Sequence, residues 1–267
     1  ALLLERKLKA YYPSEYLTLS IHLDGVEEHH DEMVSRKGVY KKAVSAIKAA
    51  KAAGFKVMTN TTIFNNADAN QMREFFDELK EIGTDGMMIS PGYSYDKAPR
   101  QELFLQREET VELFQKILDG HKGKGWDFNH SPFFLEFLQG KQDHYDCTPW
   151  GNPTRNVFGW QKPCYLIGEG YVGSFRELMD ETNWDSYGTG NYEKCADCMV
   201  HCGYEPTAVS DTVAHPLKAL KVALGGIETS RPMVADTPLD NQRPAEYVFE
   251  ELVRETEAGT SDKSEVA

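Results

Sequence analysis

Tyr16-Leu17-Thr18-Leu19-Ser20-Ile21-His22-Leu23 alternates apolar and polar side chains and is closed by Asp24-Gly25. A period of two is the pattern of a strand with one face on a core, and the Asp-Gly pair turns the chain at its end. Residues 39–53 follow, rich in Ala and Lys, with Val39, Val44, Ile47 and Ala50 on one helical face and Gly54 as the stop. The pattern then repeats. Residues 55–64 predict a second strand, and 69–82 a helix carrying Met72, Phe75, Phe76, Leu79 and Ile82 at helical spacing. Residues 86–90 predict a third strand closed by Pro91-Gly92, and 107–118 a third helix. Units of about 30 residues are the rhythm of parallel strands with crossover helices, in a barrel or a doubly wound sheet.

After Gly120 the rhythm breaks. Residues 132–138 predict a short aromatic helix. Residues 147–205 are rich in Gly, Pro, Trp, Tyr, Asn and Cys, a composition for loops pinned by something other than a large regular core. Residues 217–224 predict a short helix, and the rest reads as extended. The expected organisation is 1–122, 123–254 and a polar, acidic, disordered tail at 255–267. Residues 1–8 read as a helix start without a feeding strand, and the first strand is an apolar edge. Both features predict further units before residue 1.

Lys and Arg number 29 against 42 Asp and Glu, a net charge of −13. That balance excludes a general nucleic-acid binder and polybasic docking on an anionic membrane. A mean hydropathy of −0.53 and the lack of any apolar run near ~18 residues exclude a membrane-spanning helix. No secretory signal pattern is present, so a cytoplasmic location is expected, with at most peripheral membrane contact.

All five cysteines lie after position 146: Cys147, Cys164, Cys195, Cys198 and Cys202. The last three form Cys195-Ala196-Asp197-Cys198-Met199-Val200-His201-Cys202, and such spacing can close on zinc or an iron–sulfur cluster. Cys164 and Cys147 are candidates for a fourth ligand, and His201 either ligates or serves as an outer-shell group. An odd count without an export signal disfavours disulfides. In parallel α/β folds chemistry sits at the carboxyl ends of strands. Those ends carry His22 and Asp24, then Asn60 and Thr62, then Ser90 and Tyr93; a core histidine and a plain turn fit His22 and Asp24 equally well. His29-His30 reads as part of a solvated charged loop, with a metal role as the alternative. The aromatic residues between Trp126 and Tyr165 form either a small core or a wall for a large apolar ligand.

Ser20-Ile21-His22-Leu23-Asp24-Gly25 resembles the fourth-strand motif of radical S-adenosylmethionine (SAM) enzymes, with His22 at the usual Ser position. Three longer strings resemble the HpnH family of hopanoid-biosynthesis radical SAM proteins, which are adenosylhopene transferases. They are 147–165, opening Cys147-Thr148-Pro149-Trp150-Gly151, then 191–205, opening Asn191-Tyr192-Glu193-Lys194-Cys195, and 240–249, opening Asp240-Asn241-Gln242-Arg243-Pro244. The resemblance implies the C-terminal part of a partial parallel (β/α)6 radical SAM barrel, its last three βα units, followed by a small loop-rich cysteine-containing domain. It implies SAM as cofactor near His22, Asp24, Asn60 and Ser90, and an auxiliary iron–sulfur cluster on Cys164, Cys195, Cys198 and Cys202. It also implies a hopene (diploptene) substrate converted to adenosylhopane and a flavodoxin- or ferredoxin-like electron donor. The family's CxxxCxxC loop for the catalytic four-iron, four-sulfur cluster and its Gly-Gly-Glu-Pro stretch do not occur here. The chain alone is therefore expected to be inactive, with no catalytic residue assigned. The alternative is a zinc-stabilised binding domain without radical chemistry.

Overall fold

The computed structural model describes residues 17–94, 98, 100–121, 123–142 and 145–225. The expected helix start at 1–8, the string 240–249 and the tail at 255–267 lie outside them. The first three strands are β1 (Thr18–His22), β2 (Lys56–Ile63) and β3 (Gly86–Pro91). They form one parallel sheet in the order β1-β2-β3. A single parallel bridge between Met87 and Phe128 extends it, with the Met87 amide donating to Asp127 and the Asn129 amide to Met87.

The register divides the sheet into two chemically different faces. Val57, Ile63, Met87 and Ile89 are buried on one, which packs against helices α2 (Val39–Ala52), α3 (Ala69–Ile82) and α4 (Arg107–Leu118). Ser20, His22, Asn60, Thr62, Met88 and Ser90 share the other. α3 shows how local sequence sets an element. Asp68 caps its start by accepting from the Asn70 and Gln71 amides at 2.9 Å, and Gly83 ends it at φ +83°, a conformation that costs glycine little. Its Met72, Phe75, Phe76 and Leu79 are buried, as their spacing predicts.

Two threonines interrupt the apolar face. Thr59 and Thr61 are fully buried, and their hydroxyls have no hydrogen-bond partner. An unsatisfied buried hydroxyl is unfavourable, whereas valine fills nearly the same volume without a polar atom. Thr59→Val is therefore expected to raise stability by about 1 kcal/mol in urea denaturation. A loss of stability would show that the hydroxyl has a bonding role.

The second region is more regular than its composition suggests. A short helix, α5 (Pro132–Leu138), buries Phe133, Phe134 and Phe137. Strands β4 (Arg155–Asn156), β5 (Gly159–Pro163) and β6 (Gly168–Val172) form an antiparallel sheet, followed by α6 (Phe175–Glu181). Then come α7 (His201–Ala214) and α8 (Pro216–Gly225). α7 corrects the reading of 201–205 as loop and 206–214 as extended: Gly203 and Pro206 weaken the local helix signal, but its buried Tyr204 and Ala208 pack on α5 and hold it. One apolar core runs from Leu23 and Val57 through the α5 aromatics to Met199, Tyr204 and Ala208, so the region after residue 122 packs directly on the parallel sheet. Trp126, Phe133, Phe134 and Phe137 belong to this core, whereas Trp150, Phe158 and Tyr165 are exposed.

Candidate functional site

His22, Asn60 and Ser90 occupy the same sheet face at the carboxyl ends of their strands. His22 lies in register with Asn60, and Ser90 with Thr62. Asp24, just past β1, is buried, and its carboxylate is held on two sides. Oδ1 accepts the Thr62 amide at 2.9 Å, and Oδ2 lies 2.7 Å from His22 Nε2. Asp24 donates its own amide to Nδ1 of His30 at 3.1 Å. The structure thus brings His22, Asp24, Asn60 and Ser90 to one edge of the sheet.

His30 was missed as a site residue. It lies not in a solvated loop but in a helix, α1 (Glu27–Met33), and is 1% exposed. The helix signal is weak because α1 is short and its sequence is charged. Asp31 of the same helix explains the local fold: its carboxylate accepts the Gly38 and Tyr40 amides at the start of α2, where Gly38 offers no cap of its own.

Among the described residues, His22, Asp24 and His30 are the one group of His, Cys, Asp or Glu whose ligand atoms all lie within 4.8 Å of one another. Hydrogen bonding explains the spacing without a metal ion. His30 Nδ1 receives an N–H, so its proton sits on Nε2, and the ring has no free lone pair for a cation. Nε2 is buried without a partner.

The same network sets two opposite pH responses. Burial lowers the His30 pKa, because the protonated ring would lose its hydration. Its contribution to stability is present above the ordinary imidazole value of 6.5 and is lost as pH falls below it. The hydrogen bond to Asp24 raises His22, whose contribution is present below 6.5 and is lost as pH rises through the raised value. His22 is half-exposed, so screening makes its part the smaller. Urea midpoints measured from about pH 5 to pH 8 should fall on the acid side, and His30→Asn, which keeps an acceptor but cannot titrate, should flatten that limb. An unchanged acid limb in the variant would remove His30 as its cause.

Beyond β3 the sheet end meets α7. Ser90 Oγ lies 3.4 Å from Nδ1 of His201, whose ring centre is 5.6 Å from that of His130. His130 Nε2 accepts the Ile89 amide at 2.9 Å, which places its proton on Nδ1, donated to Glu205 at 2.8 Å. Burial, followed by the neighbouring His130, lowers the His201 pKa to about 4, so the ring is neutral near pH 7.

The cysteine thiols gather beside the same strand end. Cys195 sits in a short turn, its amide donating to Tyr192, and the Cys198 amide donates to Cys195. Cys202 opens α7, and Cys164 follows β5 and accepts the Ile167 amide at 3.4 Å. Cys147 packs against Gly203, where a Cβ would lie 2.5 Å from its sulfur. All five are free thiols. Burial pushes Cys198 up to about 12, and burial together with the Cys198 charge pushes up Cys147, Cys195 and Cys202. Tyr93, three residues past Ser90, feels the charges of Cys198, Cys195 and Cys164, which ties the group to the end of β3. Three thiolates on one tetrahedral zinc with ~2.3 Å bonds lie about 3.8 Å apart. Among the described residues no three of these sulfurs fall within 4.8 Å of one another.

The fold is similar to that of native anSMEcpe with bound AdoMet, at a TM-score of 0.50 and 14% identity, over 82% of this chain and 71% of that one. Native anSMEcpe with bound AdoMet and Cp18Cys peptide aligns at 0.49 and 15%, over 79% and 71%. The likeness is one of fold alone, mixed α/β with a parallel sheet. No curated protein matches the chain. No helix among the described residues is long and apolar enough to cross a membrane. Residues 87–222, more than half of the chain, match the family described as a domain of unknown function, DUF3463, and the chain belongs to that family.

Proposed function

We propose that the chain is part of a radical SAM enzyme of hopanoid biosynthesis that adds a 5′-deoxyadenosyl group to a hopene. The observation that carries the reading is the convergence of strand-end polar groups at the carboxyl edge of one parallel sheet, where Ser90 meets His201 of α7 beside Cys202. When bound, SAM would supply the 5′-deoxyadenosyl group, one electron from a reduced iron–sulfur cluster releasing methionine; after addition to the alkene, a second electron from the flavodoxin- or ferredoxin-like donor and a proton from solvent would quench the resulting carbon radical. The chain contains no CxxxCxxC stretch, so cleavage is assigned to a cluster held outside these 267 residues. The side chains here orient and shield. His22 and Asn60 present hydrogen-bonding groups to the cofactor's ribose and amino acid, and Asp24 fixes His22 in place. Ser90 extends the same polar row.

The thiols are assigned to an auxiliary iron–sulfur cluster on Cys164, Cys195, Cys198 and Cys202, with Cys147 as the alternative. Two features support this. Buried thiols whose negative forms repel one another need a cationic centre to become ligands. Their wide spacing suits a multi-iron centre better than a single zinc ion. Diploptene as substrate, a flavodoxin- or ferredoxin-like donor and a cytoplasmic location rest on the resemblance of 147–165 and 191–205. Deleting the gene in a hopanoid-producing cell is expected to remove adenosylhopane and accumulate diploptene, read by mass spectrometry. An unchanged hopanoid profile overturns the substrate assignment.

A further inference from the structure

Val157 and Phe158 form the turn between β4 and β5, and they are 92% and 75% exposed. The turn is preformed rather than slack. Asn156 Oδ1 accepts the Phe158 amide at 2.9 Å. Gly159 follows at φ +133°, where a Cβ would lie 2.5 Å from the Val172 carbonyl oxygen. Behind the tip stands an aromatic tier: Phe158 packs 5.5 Å from Tyr171, and Trp160 packs 5.2 Å from Phe175. Tyr171 and Phe175 are themselves 43% exposed.

We propose that this hairpin docks the protein on an anionic lipid surface. Val157 and Phe158 enter the acyl boundary, the Tyr171 and Trp160 rings sit at headgroup depth, and Arg155 and Arg176 meet lipid phosphates. Apolar residues at a tip, amphipathic rings behind them and cations beside both form the order of an interfacial anchor. Charge supports a lipid occupant. The chain carries −13 overall, yet the exposed ionised side chains closest in sequence to the tip and to Phe175 include Arg155 and Arg176. Glu177, the nearest acid to Arg176, has its carboxylate turned onto the Gly173 and Ser174 amides at 2.8 and 3.0 Å as a cap. The overall charge excludes docking by a polybasic face, so apolar insertion must supply most of the attraction. A protein occupant fits less well, because two tip residues and two half-exposed rings present well under the roughly 800 Å² per partner of a stable interface. The inference is carried by exposure, shape and charge, and does not rest on the chemistry proposed above.

The test is flotation of the full chain with vesicles of equal parts phosphatidylcholine and phosphatidylglycerol. Wild type is expected to float with the vesicles. The double variant Val157→Ser/Phe158→Ser should lose binding roughly tenfold or more, the scale of one or two buried side chains. Arg155→Ser/Arg176→Ser should lose binding several-fold on these vesicles and show little change on pure phosphatidylcholine. Both pairs are exposed, so melting curves matching wild type confirm that folding is intact. The proposal is overturned if wild type stays with the soluble fraction, or if the tip variant floats like wild type. It is also overturned if the tip variant changes only the oligomeric state in gel filtration, which would make the hairpin a self-association site.

Discussion

Tyr204→Ala is expected to destabilise the protein by about 4 kcal/mol in urea denaturation, near the upper range for deleting a buried aromatic ring. Tyr204 is 1% exposed on α7, and its ring lies 4.8 Å from Phe137 of α5. That contact belongs to the apolar core joining the cysteine region to the parallel sheet. The hydroxyl also bonds Thr189 Oγ1 at 2.6 Å, and Thr189 Oγ1 reaches the Cys195 carbonyl at 3.2 Å. Truncation therefore opens a cavity and removes a partner from a buried hydroxyl next to the cysteine turn. Tyr204→Phe separates the two effects: it keeps the ring and is expected to lose about 1 kcal/mol for the bond. If Tyr204→Ala lost less than Tyr204→Phe is expected to lose, the packing of α7 on α5 would not be a main source of stability.

Cys198→Ala is expected to abolish retention of iron and sulfide after anaerobic reconstitution, with loss of broad absorption near ~400 nm. The negative form of Cys198 would raise the pKa of Cys147, Cys195 and Cys202, so its sulfur interacts with each of the three. Removing it leaves three of the four assigned ligands, Cys164, Cys195 and Cys202. The two candidates for the remaining position separate in the same assay. Cys164→Ala should lose most of the iron, and Cys147→Ala should keep it if Cys147 only packs on Gly203. The reverse pattern would exchange their roles. Wild-type protein that stays colourless while binding about one zinc would overturn the cluster assignment and favour a structural metal.

The β-α rhythm from residue 18 to residue 118 could be read from the sequence, because alternation and helical spacing are local signals that burial reinforces. α3 and α4 match their expected bounds, and each strand differs by no more than two residues at either end. The close spacing of Cys195, Cys198 and Cys202 was legible for the same reason, since eight residues of chain carry all three. His22, Asp24, Asn60 and Ser90 could be named because strand-end position follows once the strands are known. His30 could not be named. Its neighbours are charged, and only packing beneath the Asp24 turn buries it. α7 was hidden by Gly203 and Pro206, whose helix cost is offset by the contacts of Tyr204 and Ala208. The aromatic residues of 126–165 look alike in sequence, and only the tertiary fold divides them into core and exposed surface. Bringing Cys147 and Cys164 to the later cysteines also required the tertiary structure. A repeating pattern reports which face of an element is buried, whereas contacts between distant residues depend on how whole elements pack.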